Sequence, residues 1–131
     1  MRVAYIRVSS IDQNPDRQLR VDIEKNYIDQ CSGSISFSDR SEAKKLLANT
    51  NVTEIVVHSI DRLGRNTIDI MQTIQHFTNL SVNVISEKEG FETIVNGKEN
   101  PISKMLIGIL GTLAEFELSR IKERQAEGIA A

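Results

Sequence analysis

Three short runs rich in apolar and β-branched residues, "RVAYIRV" from Arg2, "TEIVVHS" from Thr53 and "VNVIS" from Val82, are separated by stretches whose apolar residues recur at helical spacing. This alternation constrains the fold more than any other feature. Near-continuous apolar strands suit burial on both faces of a parallel sheet, and parallel neighbours need crossovers of a dozen or more residues between them. The expectation is an α/β fold: an open, mostly parallel sheet of about four to five strands with flanking helices.

The intervening stretches carry their own start signals. After "SSIDQ", Asn14 as a cap and Pro15 at the first helical position predict a short helix with Leu19, Ile23 and Tyr27 four residues apart. A brief strand is expected at Tyr27 to Asp29, then a small-residue loop through Ser32, Gly33 and Ser34. A longer first helix with a strand at Ile35 to Phe37 is the competing reading. Ser41 is expected to cap a helix carrying Ala43, Leu46 and Leu47. Asn66 or Thr67 is expected to cap another, with Ile70, Met71, Ile74 and Phe77 on one face.

The last third changes character. Asn100 and Pro101 form a cap and first-turn signature ahead of about 28 residues without another proline, a helix of roughly 40 Å. Ile102, Met105, Leu106, Ile107, Ile109, Leu110, Leu113 and Phe116 spread over more than the single stripe that would face its own domain. Packing against the domain on one side and a second subunit on the other explains that width, with Gly108 and Gly111 permitting close backbone approach. The expected oligomer interface comprises Met105, Ile109, Leu110, Leu113 and Phe116. Beyond Glu117 the helix turns polar, with Arg120 and Arg124 one turn apart. Residues 1–100 are thus expected to form the α/β body, and residues 101–131 a long helix of the same domain.

Composition excludes several function classes. The chain has 131 residues, enough for one core, and a formal net charge of -2, so any nucleic-acid contact must rest on locally gathered cations. Cys31 is the single cysteine, which excludes an internal disulfide and fits a reducing, cytoplasmic setting. No signal-peptide pattern or run of about 20 apolar residues points to export or a membrane, so the Asn51 and Asn79 triplets read as chance glycosylation matches. No nucleotide-binding glycine loop and no metal-ligand motif is found, so no cofactor and no metal are expected.

Ligands of open α/β sheets gather beyond the carboxyl ends of the strands. Arg7, Ser9 and Ser10 follow the first strand there, and Asp61, Arg62 and Arg65 follow the third. With Arg40 from the loop after strand two, four guanidiniums are expected around a pair of serine hydroxyls. Such a cluster repels itself unless an anion is bound, and the planar fork of arginine matches phosphate oxygens. Taken singly these residues are unremarkable: a serine after a strand is usually a turn or cap, and Asp61 could simply cap a turn. His58 reads as a structural or solvated side chain.

Together, "YIRVSS" with "DQNPDRQ", "SGSISFSDR", "SIDRLGRN" and "ISKMLIGILGTLAEFELSRIKERQAEG" resemble the serine recombinases of the resolvase/invertase type across nearly the whole chain. The resemblance implies that Ser9 is the nucleophile and Ser10 a bystander. It implies catalytic roles for Arg7, Arg40, Asp61, Arg62 and Arg65, and supporting roles for Tyr5, Gln13 and Gln18. The long helix is implied to form a homodimer, and a tetramer on synapsis, and to bring Arg120 and Arg124 to the DNA backbone. The implied activity is site-specific DNA recombination through a covalent 5′-phosphoserine, with arginines in place of metal. A phosphoseryl ester stores the energy of the broken bond, so rejoining needs no ATP. The proton acceptor for Ser9 stays open. Family members usually continue into a basic extension and a helix-turn-helix module, so the chain is expected to be a catalytic domain, naturally small or cut from a longer protein, with weak DNA affinity of its own. Two other classes remain: a non-catalytic oligomerisation module on the same fold, and a serine-dependent phosphoesterase.

Overall fold

The computed structural model describes residues 1–8 and 22–130, apart from the side chains of residue 114 and residues 118–130. The elements run β1 (Arg2–Val8), β2 (Lys25–Gln30), α1 (Ser41–Ala48), β3 (Glu54–Val57), α2 (Thr67–Asn79), β4 (Asn83–Ser86), β5 (Phe91–Glu92), β6 (Ile94–Val95), β7 (Lys98–Glu99) and α3 (Pro101–Ala130). The expected helix from Asn14 and Pro15 through Leu19 lies outside the described residues.

The sheet has the order β2-β1-β3-β4-β5. Its first four members are parallel and β5 is antiparallel to β4. The α/β class with a mostly parallel sheet is therefore as the sequence predicts. β1 lies between β2 and β3, so the order of strands along the sheet reverses direction at β1. In open α/β sheets ligands gather outside the carboxyl ends of the strands at such a reversal, which here means the ends of β1 and β3.

Alternation along the strands divides the core. Val3 and Tyr5 of β1, Tyr27 of β2, Ile55 and Val57 of β3 and Val84 of β4 pack with Ala43 and Leu46 of α1, Ile74 and Phe77 of α2 and Leu110 of α3. Ala4, Ile6, Val8 and Val56 are buried on the opposite face. Tyr27 belongs to β2 rather than to a preceding helix, and no strand forms at Ile35 to Phe37, where a 3-10 turn spans Phe37–Asp39.

Caps depart from expectation in one place. Ser41 is the first residue of α1, not its cap; Arg40 holds the cap position and offers no side-chain cap. The free N–H groups of Glu42 and Ala43 instead donate to the Asp29 carboxylate at the end of β2, at 2.8 and 3.0 Å. A buried carboxylate on the neighbouring strand outcompetes a serine hydroxyl because it is a stronger acceptor for orphan amide groups. Asn66 does cap α2, accepting from Asp69 N–H, and Asn100 accepts from Ile102 N–H ahead of Pro101.

Asn96 and Gly97 join β6 to β7, both in the left-handed region at φ 53° and 76°. This is the backbone of a tight two-residue hairpin, in which asparagine and glycine are the least strained occupants.

The long helix α3 presents two sides. Ser103, Leu106, Ile107 and Leu110 turn toward the domain, where Leu110 is only 7% exposed. A Cβ at Gly111 would lie 3.3 Å from the Met71 sulfur of α2, whereas one at Gly108 would meet nothing within 4 Å. Ile102, Met105, Ile109, Leu113 and Phe116 form an outward stripe, each about half exposed or more. Leu110, expected at an intersubunit surface, thus packs into its own domain; it falls one residue from Ile109, about 100° around the helix. Glu117 accepts a hydrogen bond from the Thr67 hydroxyl at 2.7 Å, fastening α3 to the first turn of α2. Among the described residues no helix is long and apolar enough to cross a membrane.

Candidate active site

At the carboxyl ends of β1 and β3, three of the four expected arginines are joined through backbone carbonyls. Arg7, the penultimate residue of β1, reaches across to the loop after β2 and donates to the Cys31 carbonyl at 3.2 Å. Gly33 lies over its guanidinium, with the Cβ position 3.5 Å from the central carbon. Arg62, in the 3-10 turn Ile60–Leu63 after β3, donates to the Arg7 carbonyl at 3.0 Å. Arg40 in turn donates to the Arg62 carbonyl at 2.6 Å.

Arg40 joins this cluster from a buried position, only 2% exposed. Its Nε donates to Ile35 O at 3.1 Å and its Nη1 to the Tyr5 hydroxyl at 3.2 Å, with the guanidinium 5.9 Å from the Phe37 ring centre. The 3-10 turn folds the chain back so that Arg40 points inward. Arg65, by contrast, is exposed.

Two acidic groups shape the surroundings differently. Asp29, 4% exposed, accepts from the Tyr5 hydroxyl at 2.9 Å while capping α1. Burial pushes the Tyr5 phenol far above its ordinary pKa, against the lowering pull of the Arg40 hydrogen bond and charge. Tyr5 is therefore a neutral hydrogen-bonding post rather than a proton acceptor. Partial burial works to raise the Asp61 carboxyl, but a hydrogen bond from Ser59 and the nearby Arg62 guanidinium outweigh it and hold Asp61 below the usual carboxylate range. Asp61 is accordingly ionised at neutral pH. His58 is exposed.

The guanidiniums retain unused donors. Arg7 Nε, Arg40 Nη2 and Arg62 Nε are buried without a hydrogen-bond partner, and among the described residues no carboxylate lies within ion-pair distance of Arg7, Arg40, Arg62 or Arg65. Buried donors left unmet cost about 1–3 kcal/mol each, and adjacent like charges add to that. Such an arrangement favours an anion whose oxygens match several planar forks at once. Among the described residues no three His, Cys, Asp or Glu side chains gather where they could hold a metal ion.

Ser9, Ser10, Gln13 and Gln18 lie outside the described residues, as do the side chains of Arg120 and Arg124. Ser9 follows Val8, the last residue of β1, directly in sequence. The structure thus joins Arg7, Arg40 and Arg62 with Tyr5 into one network, and places Asp61 and Arg65 on the same loop as Arg62. Sequence reasoning missed Asp29, although an acidic residue two positions from the buried Tyr27 on a strand signals a charge needing partners. It also missed Asp69, which the "NTID" spacing from Asn66 would have marked as a capping-box position.

Residues 2–131 match the family model of the resolvase N-terminal domain. The chain is 39% identical over 130 residues to the resolvase of transposon Tn1721 from Escherichia coli, covering 98% of this chain and 68% of that protein. It is 29% identical over 135 residues to the serine recombinase PinR of Escherichia coli strain K12, covering 96% and 67%. Among solved structures, the N-terminal catalytic domain of TP901-1 integrase matches with a TM-score of 0.68 at 23% identity, over 91% of this chain and 98% of that one. A resolvase family site-specific recombinase from Streptococcus pneumoniae matches with a TM-score of 0.68 at 22% identity, over 98% and 95%. These two structural likenesses speak for the fold, and the sequence matches for the lineage. The chain belongs to the resolvase family of DNA recombinases, matching its N-terminal domain from residue 2 to residue 131.

Proposed function

We propose that this chain is the catalytic domain of a site-specific serine recombinase, which cuts and rejoins DNA through a covalent 5′-phosphoserine at Ser9. The observation that carries the reading is the run of guanidiniums from Arg40 through Arg62 to Arg7, with donors unmet, ending two residues before Ser9. The Ser9 oxygen attacks phosphorus, the bond from phosphorus to the 3′ oxygen breaks, and that oxygen leaves as a hydroxyl with a proton. The serine becomes esterified to the 5′ phosphate. Attack by a 3′ hydroxyl of a partner strand reverses the step, restoring the phosphodiester and the free serine.

Arginines suit this chemistry because the five-coordinate transition state carries more negative charge than the diester. One preorganised donor aimed at such charge contributes about 3 kcal/mol. Arg7, Arg62 and Arg65 supply direct contacts in this reading, while Arg40 holds the Arg62 segment and offers its unmet Nη2. Asp61, ionised and bonded to Ser59, orients its loop or handles the proton; Tyr5, Gln13 and Gln18 support.

The outward stripe of α3, Met105, Ile109, Leu113 and Phe116, is the surface for a second copy, with tetramers at synapsis. Arg120 and Arg124 approach the DNA backbone. The test fuses the chain to a DNA-binding module and incubates it with a nicked recombination-site duplex, followed by denaturation. A 5′ protein–DNA adduct that Ser9→Ala abolishes is expected; absence of any Ser9-dependent adduct would remove the recombinase reading and leave the non-catalytic module or the phosphoesterase.

A further inference from the structure

We propose that Asp69 is a positioning residue for strand cleavage, its carboxylate bracketing the two arginine-bearing segments; this rests on the recombinase reading above. One oxygen, Oδ2, accepts from the backbone N–H of Phe37 and from that of Arg65, each at 2.9 Å. Phe37 opens the 3-10 turn that leads into Arg40, and Arg65 closes the loop that carries Asp61 and Arg62. A single atom therefore ties together segments that come from opposite sides of β1.

Service to α2 alone does not account for this arrangement. Asp69 occupies the third position of the helix, and its N–H is met by the Asn66 side chain at 2.9 Å. In a reciprocal capping box the acidic side chain would return to the N–H of the cap residue. Here it passes that group, takes the N–H of Arg65 one residue further out, and crosses 32 positions in sequence to Phe37. Gly64 makes the close approach possible, since a Cβ there would sit 2.6 Å from Ile70 N and 2.9 Å from the Asp69 carbonyl carbon.

The bracket transmits to the guanidiniums through rigid contacts. The Phe37 ring packs edge-on against Tyr5 at 5.0 Å and lies near the Arg40 guanidinium, while the Arg40 N–H donates to the Phe37 carbonyl. Arg40 and Arg62 are joined separately by their own hydrogen bond. The segments are thus pinned twice, on either side of Gly64. Asp69 fixes the second pin, and with it the separation of Arg65 from Arg40, without contacting phosphate. Displacements of about 1 Å at remote positions can slow an oriented reaction about 100-fold.

The test uses the module fusion with its nicked duplex and compares Asp69→Ala, Asp69→Asn and Ile74→Val, the last a buried-core substitution in the same helix. Asp69→Ala is expected to form adduct about 100-fold more slowly, with the half-saturating DNA concentration changed less than threefold. Asp69→Asn, which keeps one oxygen able to accept both N–H groups, is expected to recover at least tenfold of that loss. Ile74→Val is expected to stay within threefold of the parent. An adduct rate for Asp69→Ala within threefold of the parent, or a loss shared equally by Ile74→Val, would overturn the proposal. If the parent itself forms no adduct, the recombinase reading fails; amide hydrogen exchange then decides the bracket. Joint loss of protection at Phe37 and Arg65 in Asp69→Ala upholds it, and unchanged protection sinks it.

Discussion

The guanidinium of Arg40 donates to the carbonyl oxygen of Arg62 at 2.6 Å, and it does so from a position only 2% exposed to solvent. A charge so deeply placed is costly, and it is held by acceptors on three separate segments: Ile35, Tyr5 and Arg62. Arg40→Ala would leave those acceptors unmet and open a cavity, and is expected to destabilise the fold by about 3 kcal/mol. Arg40→Met keeps the stem and removes the charge, so its loss should be smaller, because an uncharged side chain avoids the desolvation cost. Urea denaturation ranks the two. Both should abolish adduct formation, which separates the structural from the electrostatic role of one residue.

Acid should expose the state of Asp61. Its folded pKa lies below the ordinary 3.8, so the stability it contributes is fully present above that value and is lost as pH falls through the depressed folded value. The difference in urea midpoint between the parent and Asp61→Asn is therefore expected to be constant from neutral pH down to about 4.5. It should then shrink as the pH drops further. A difference that instead grows in acid would show that the carboxyl is destabilising as an anion.

Gly64 is required by space rather than by its backbone angles, since its φ of -178° is open to any residue. A methyl group there would meet the backbone of Ile70 and Asp69, which cannot turn away as a side chain could. Gly64→Ala is expected to cost about 1–3 kcal/mol in denaturant unfolding. A neutral result would mean that the loop has room to lift from α2.

Neighbouring residues of α3 should behave oppositely. Ile109 is 50% exposed and Leu110 is 7% exposed. Ile109→Glu is expected to lower the mass seen by light scattering at little cost to monomer stability. Leu110→Glu is expected to unfold the domain, because it places a carboxylate in the core. Equal masses for the parent and Ile109→Glu would exclude the outward stripe as the subunit contact.

The strands were legible because burial on both faces leaves a near-continuous apolar run, and β1, β3 and β4 have that character. Asn66 and Asn100 were legible as caps because their signals are local. Ser41 misled because its competitor, Asp29, lies 12 positions away in sequence and is brought to α1 only by the return of the chain from β2. Arg40 was expected beside Arg7 and Arg62, but its depth carries no local signal; an arginine is a surface residue by default, and only the 3-10 turn at Phe37 turns it inward. The hairpin of β6 and β7 carries its Asn96–Gly97 signal openly, yet its two-residue strands are too short to show alternation. Leu110 was grouped with Ile109 because a wide apolar pattern does not say where one face stops.

Parallel pairing of β1 with β3 joins Arg2 to Glu54 and Val3 to Ile55, and it brings Arg7 and Arg62 together across 55 positions. In the unfolded chain those positive charges are far apart and repel little; only the native state gathers them. A phosphate-bearing ligand that binds the gathered cluster and not the open chain must raise the free energy of unfolding by RT ln(1 + [L]/Kd). The thermal midpoint of this domain is therefore expected to rise with anion concentration, and a heat scan in increasing phosphate would report the assembly of the cluster even where no DNA is cut.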